Sequence, residues 1–93
     1  MIIGALQLDL HFPEPQSLKE KRMLLKSLTD RIRRQFNVSV SEIDGMDLWQ
    51  KSTLAIAAVG SQTKFINGVL DRITDFVCSQ HRLEVTRQEL EFF

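Results

Sequence analysis

The sequence predicts an α+β domain in which a four-stranded antiparallel sheet carries two helices on one face. Three observations lead there. Ninety-three residues, 43% of them hydrophobic and 26% charged, are enough for one compact core but not for two, so residues 1–93 read as a single domain. Apolar positions alternate with the period of a strand in some segments and recur with helical spacing in others. The segments follow the order β-α-β-β-α-β, with no internal repeat, low-complexity stretch or linker between them.

Each element has a local reason. From Ile2 to Phe12, the residues Ile2, Leu6, Leu8, Leu10 and Phe12 alternate with Gln7, Asp9 and His11, as in a strand with one buried face. Pro13 and Pro15 close it in a short loop. Ser17-Leu18-Lys19-Glu20 then has capping-box spacing, in which the serine hydroxyl accepts from the N–H three residues on and the glutamate reaches back, so a helix starts at Leu18. Leu18, Leu24, Leu25, Leu28 and Ile32 share one arc of that helix, which runs to the neighbourhood of Gln35. Val38 and Val40 alternate with Ser39 and Ser41 in a β-prone run ending at Asp44-Gly45, and Thr53 to Val59 forms a second run; together they predict an antiparallel hairpin. Gly60 breaks the pattern, Ser61 or Thr63 is the expected cap, and Phe65, Ile66, Val69, Leu70, Ile73, Phe76 and Val77 define the apolar arc of the second helix. In the last strand the apolar positions change phase, from Leu83 and Val85 to Leu90 and Phe92, which predicts a bulge or bend between Thr86 and Glu89. Right-handed crossovers assemble this order into the split βαβ, or ferredoxin-like, architecture with the other sheet face uncovered.

That uncovered face is expected to carry Ile3, Ala5, Gln7, Asp9 and His11, joined by Ser39 and Ser41 and by either Thr53, Ala55 and Ala57 or Leu54, Ile56 and Ala58. No Phe, Tyr or Trp stands on the open face of the central strands, which argues against base stacking in the manner of RNA-recognition motifs. A small, mixed, flat face beside an exposed edge strand could instead pack against a second copy, through the face or the edge, as a homo-oligomer.

Twelve Lys and Arg against twelve Asp and Glu sum to zero, so the chain as a whole is not drawn to nucleic acid or to an anionic membrane. Its longest wholly apolar runs, such as Ala55 to Val59, fall far short of the roughly 20 residues of a membrane helix, and no basic segment precedes an apolar signal stretch. The lone Cys78 excludes an intrachain disulfide and fits a reducing compartment. A cytoplasmic protein is the expectation. The charge is nonetheless uneven: from Ser17 to Arg34 seven basic residues meet only Glu20 and Asp30, giving +5, while the remainder carries five basic against ten acidic residues, giving −5. On the helical wheel Lys19, Arg22, Lys26 and Arg33 fall on one flank, with Arg34 further round, an arrangement that can follow a phosphate backbone. The plainer alternative is a solvated face whose long stems shield the core edge.

Glu42, Asp44 and Asp47 crowd the hairpin connection and could hold Mg²⁺ or Ca²⁺ through oxygen, but their spacing is not that of an EF-hand and suits a turn better. Leu48 and Trp49 beside them either fold back over the core margin or stand out for a partner; the burial habit of tryptophan favours folding back, and Trp49 is the partner-contact candidate otherwise. Asp9 and His11 lie two residues apart on one strand face, close enough to hydrogen-bond, and Cys78 and His81 lie near the end of the second helix, with Cys78 on its polar side. Nucleophilic catalysis needs a nucleophile, a base and an orienter in mutual reach, and zinc needs about four ligands; one Cys and two His in distant segments supply neither. With no Gly-rich phosphate loop either, the expectation is a protein that is not an enzyme and uses no cofactor or metal.

Three separated blocks agree in order and spacing with a known pattern: Ser17-Leu18-Lys19-Glu20-Lys21-Arg22, Phe36-Asn37-Val38-Ser39-Val40-Ser41-Glu42 and Asp47-Leu48-Trp49-Gln50. They resemble the YlxP-like family of small bacterial proteins, over essentially the whole chain. The resemblance implies a ferredoxin-like α+β fold, no established activity and no assigned catalytic residue. Genes of that family often neighbour translation and ribosome-maturation genes, which implies ribosomal RNA or ribosome-maturation factors as partners by association. Asp44-Gly45-Met46 departs from the family pattern in being more turn-like and less polar. The leading expectation is thus a binding or accessory protein acting through the helix from Leu18 to Arg34, and the competing one an oligomeric protein-interaction module that binds no nucleic acid. The sequence is compatible with the start of the basic helix and Trp49 lying at the same end of the sheet or at opposite ends.

Overall fold

In a computed structural model describing residues 1–93, the elements are β1 (Ile2–His11), α1 (Leu18–Gln35), β2 (Ser39–Asp44), β3 (Lys51–Gly60), α2 (Thr63–Cys78) and β4 (Glu84–Phe92). The sheet has the order β2-β3-β1-β4 with every neighbouring pair antiparallel, which is the ferredoxin-like split βαβ arrangement. Alternation along β1 turns Leu6, Leu8 and Leu10 toward the helices, and the register sets Ile56, Leu54 and Ser52 opposite them on β3. The two choices for β3 are thereby decided: Leu54, Ile56 and Ala58 are buried under the helices, and Thr53, Ala55 and Ala57 lie on the open face. The strand also starts at Lys51, earlier than the predicted Thr53, because Ser52 continues the buried alternation with a hydroxyl that finds a partner inside.

Local chemistry sets the helix ends. The Oγ of Ser17 accepts from the Glu20 N–H at 3.1 Å, while the Glu20 Oε2 accepts from the Gln16 N–H at 2.7 Å, one residue before the position an ideal capping box would use. Neither Ser61 nor Thr63 caps α2. Gln62 is the extended residue before it, its carbonyl accepting from the Ile66 N–H at 3.2 Å, and its side chain makes no capping bond. The buried stripe of α2 is Ile66, Leu70, Ile73 and Val77; Phe65, on the shoulder of that stripe in the first turn, is exposed, contrary to its place in the predicted arc. Cys78 is exposed, as its polar-side position implied.

Two register shifts mark the edge strands. Asp9 pairs with Arg87 and Leu10 with Val85, so Thr86 is the extra residue of a bulge at the start of the predicted interval. In β2, Glu42 pairs with Leu54 and Asp44 with Thr53, leaving Ile43 as the extra residue of a second bulge that the sequence pattern did not predict. Its effect is to keep Glu42 on the helix side and deliver Asp44 to the open face. The buried hydrophobic residues form one cluster between the sheet and the helices, with α2 over β1 and β3 and α1 against β2. No helix is long and apolar enough to cross a membrane.

Candidate functional site

The stripe by which α1 meets the sheet is Lys21, Leu25, Leu28 and Ile32, so a charged residue occupies a position that spacing alone would give to a leucine. Lys21 is fully buried. Its Nζ donates to Glu42 Oε2 at 2.7 Å and to the Gly45 carbonyl at 2.8 Å, and Ser52 Oγ donates to the same carboxylate oxygen at 2.6 Å. An ammonium taken out of water requires such compensation. Glu42 is therefore directed inward and does not meet Asp44 and Asp47. Asp44 Oδ1 instead accepts from the Gly45 N–H at 2.8 Å, and Gly45 adopts φ +79°, the left-handed conformation that a turn of this kind demands. Nowhere do three His, Cys, Asp or Glu side chains gather as metal ligands.

A second tie holds the hairpin from its other arm. Gln50 Nε2 donates to the carbonyls of Pro13 and Pro15, at 3.1 and 3.3 Å, and the Gln50 carbonyl accepts from the Phe12 N–H at 2.8 Å. The start of α1 and the β2–β3 hairpin thus share one end of the molecule. Trp49 does not fold back over the core. It is 52% exposed, alongside Leu48 at 50% and Met46 at 47%. The reason lies underneath: Phe12 and Pro15 are already buried at this margin, and the inner surface of the hairpin is engaged in the Lys21 and Gln50 hydrogen bonds, so the large apolar residues project outward.

The cations of α1 are not equivalent. Lys19 and Arg22 are exposed and form no ion pair or side-chain hydrogen bond. Lys26 and Arg33 share Asp30, at 2.8 and 3.5 Å, although Lys26 keeps 77% of its side chain in solvent. Arg33 Nη2 also donates to the Val40 carbonyl of edge strand β2 at 2.8 Å, and Arg34 Nε donates to the Asp30 carbonyl at 3.4 Å. The hydrogen bond from Lys26, reinforced by the charges of Lys26, Arg33 and Arg34 and opposed by some loss of hydration, holds the Asp30 carboxyl below its ordinary value. Arg31 leaves the flank altogether: it donates to Gln80 Oε1 at 2.8 Å and lies 5.7 Å over the Phe76 ring.

On the open face, a hollow of about 390 Å³ lies where β1 and β3 meet the hairpin, with Asp9, His11, Asp44, Lys51, Thr53 and Thr86 among its lining residues. Asp9 and His11 do not pair. Asp9 Oδ1 accepts from the Thr53 hydroxyl at 2.8 Å, and His11 Nδ1 lies 3.7 Å from Glu84 Oε2, because residues opposite each other on neighbouring strands are closer than residues i and i+2 on one strand. The one serine in the lining, Ser52, donates to Glu42 on the other side of the sheet, which leaves the hydroxyls of Thr53 and Thr86 as those facing the hollow. Mixed charges and hydroxyls equip the hollow for hydrogen bonding.

Residues 3–90 match the family described as Protein of unknown function (DUF503). The chain belongs to this family. The uncharacterized protein YlxP of Bacillus subtilis (strain 168) is 37% identical to it over 92 residues, spanning 99% of this chain and 100% of that protein. Among solved structures, the de novo designed protein Foldit4 aligns with a TM-score of 0.50 over 99% of this chain and 94% of that one, at 14% identity, a likeness of fold alone. In this DUF503 chain the three blocks that carry the family resemblance converge. Lys21 of the first binds Glu42 of the second, and Gln50 of the third binds the loop that leads into the first. Sequence spacing held a signal for Lys21, which stands four residues before Leu25 and seven before Leu28; its charge concealed a buried role.

Proposed function

We propose that this DUF503 protein is a non-catalytic accessory protein of the cytoplasm that binds RNA, in the setting of ribosomal RNA or a ribosome-maturation complex, through the outer flank of α1. The observation that carries this is the pair Lys19 and Arg22, exposed and without a protein partner, on a segment of charge +5 in a chain of zero net charge. Lys26 extends the flank, since its pairing with Asp30 leaves most of the side chain in solvent. Titration of a ribosomal RNA fragment across salt concentrations tests it. Affinity is expected to fall linearly in log–log form with a slope of about −0.7 for each single-stranded phosphate contacted, and Arg22→Glu with Lys26→Glu to weaken binding at least about tenfold. Binding that is absent, or indifferent to salt and to these substitutions, refutes the proposal.

A second role, self-association without nucleic acid, draws on one observation about the open face. Ile3 pairs with Val59 on one side and exchanges both backbone hydrogen bonds with Phe93 on the other, at 2.9 and 2.8 Å, so three apolar residues line up in one row beside Ala5 and Ala57. A second copy is the occupant that would cover this row. Light scattering that finds only monomer at micromolar concentration removes it, and a dimer dissolved by Val59→Glu supports it.

A further inference from the structure

Bracing the β2–β3 hairpin against the start of α1 creates a surface that neither element has alone. Gly45 turns the chain, the Leu48 N–H donates to the Gly45 carbonyl at 3.0 Å, and that same carbonyl accepts from the buried Lys21, so the backbone beneath Trp49 is fixed from the core side. Gln50, the next residue, is fixed to the Pro13–Pro15 loop. A large aromatic ring half in solvent on a braced loop is pre-organised for a contact that the chain itself does not make. The charge at the same end indicates of what kind. Arg22 follows Lys21 directly, Lys19 lies half a turn earlier, and neither forms an ion pair; the same end also carries the exposed acids Glu20, Asp44 and Asp47, so the attraction for phosphate is local to the two cations. An aromatic face with unpaired cations matches a ligand that alternates flat bases with phosphates.

We propose that Trp49 is a stacking platform for a base of single-stranded RNA whose phosphates run onto Lys19 and Arg22, so that the protein selects unpaired over double-helical RNA. The proposal rests on the RNA-binding role of α1 and names its ligand class. A duplex keeps its bases stacked inside and offers phosphates without a free π-face, whereas an unpaired strand can splay a base onto an aromatic side chain.

Trp49 is the only tryptophan of the chain and therefore reports on its own contact. The full chain is titrated with an unstructured RNA of about ten nucleotides and with a duplex of the same length, following tryptophan emission and, with a labelled strand, affinity. Quenching by the single strand and not by the duplex is expected. Trp49→Ala should weaken single-strand binding roughly tenfold with the salt slope unchanged, and Trp49→Phe should restore most of it, whereas Lys19→Glu with Arg22→Glu should flatten the slope. Single-strand binding that leaves emission and the Trp49→Ala affinity untouched overturns the platform while the role of α1 stands. Equal quenching by the duplex overturns the selectivity. No binding of either RNA at any salt overturns both proposals. A protein partner that survives nuclease treatment and is lost with Trp49→Ala, together with unchanged RNA affinity, assigns the loop to protein contact and overturns the stacking role.

Discussion

A lysine ammonium with no exposure persists in this core because Glu42 and the Gly45 carbonyl accept from it and Ser52 steadies the carboxylate. The pair is asymmetric: Glu42 keeps 19% of its side chain in solvent, and Lys21 keeps none. Removing the acid should therefore be the worse single change. Glu42→Leu strands a buried positive charge and is expected to cost about 3–5 kcal/mol, while Lys21→Met leaves a carboxylate that water can still reach and should cost less. The double variant should recover much of the loss, and urea midpoints of the four proteins measure the coupling; additive losses would show that the two residues do not act as a pair. Asp30 offers a gentler case at the surface. Its folded value lies below the ordinary 3.8, so the charged form is the one stabilised by Lys26 first and by the charges of Arg33 and Arg34 in addition. This contribution is present at neutral pH and lost as pH falls below about 4 and through the folded value. Asp30→Asn should abolish that part of the acid dependence. By releasing Lys26 and Arg33 it should also tighten RNA binding and steepen the salt slope by about 0.7 for each added phosphate contact; unchanged RNA binding would show that the pairing does not restrain the flank.

At the scale of elements, the seat of α2 on the sheet depends on a missing side chain. A Cβ at Gly4 would lie 2.5 Å from Ile66 Cγ2 and 2.8 Å from Leu70 Cδ1. The leucine methyl can rotate away, but a β-branched residue in a helix is nearly locked at χ1, so the helix itself would have to lift. Gly4→Ala is expected to cost about 1–3 kcal/mol, and thermal unfolding should show it as a drop of several degrees; an unchanged midpoint would mean that α2 is seated less firmly than its packing implies. Elements of this kind were legible in the sequence wherever their signal is local. The alternation of β1, the serine cap of α1 and the phase change around Thr86 all involve near neighbours, and each corresponds to an observed feature. Where the signal was non-local, sequence and structure part. The bulge at Ile43 leaves no phase change to read, because the strand ends just after it. Trp49 is held out by bonds between Gln50 and the proline loop and between Lys21 and Gly45, contacts between segments far apart in the chain. The pairing of Asp30 with Lys26 and Arg33 was within reach, since both lie at the spacings where helix side chains meet. Counting the cations of α1 without that pairing overstated the free charge of the flank.

For the whole molecule, zero net charge conceals a separation across the sheet. The positive segment is α1, on the helix side, while Asp9, Asp44, Glu89 and Glu91 occupy open-face positions, opposite Thr53 or on the β4 side of Gln7 and Ala5, and outnumber the open-face cations Lys51 and Arg87. A polyanion is therefore attracted to one face and repelled by the other, and association depends on orientation rather than on total charge. With a screening length of about 8 Å at physiological salt, charges on the far face contribute little to an RNA seated on α1. This separates two explanations of any RNA binding. Arg22→Glu combined with Glu91→Lys changes the charge by −2 and +2, so the total stays at zero while the positive charge moves from the helix side to the open face. If the flank of α1 is the interface, this variant should lose about as much affinity as Arg22→Glu alone, and Glu91→Lys alone should change affinity less than about threefold at physiological salt. If instead Glu91→Lys restores what Arg22→Glu removes, binding follows total charge, and α1 is not a localised RNA surface.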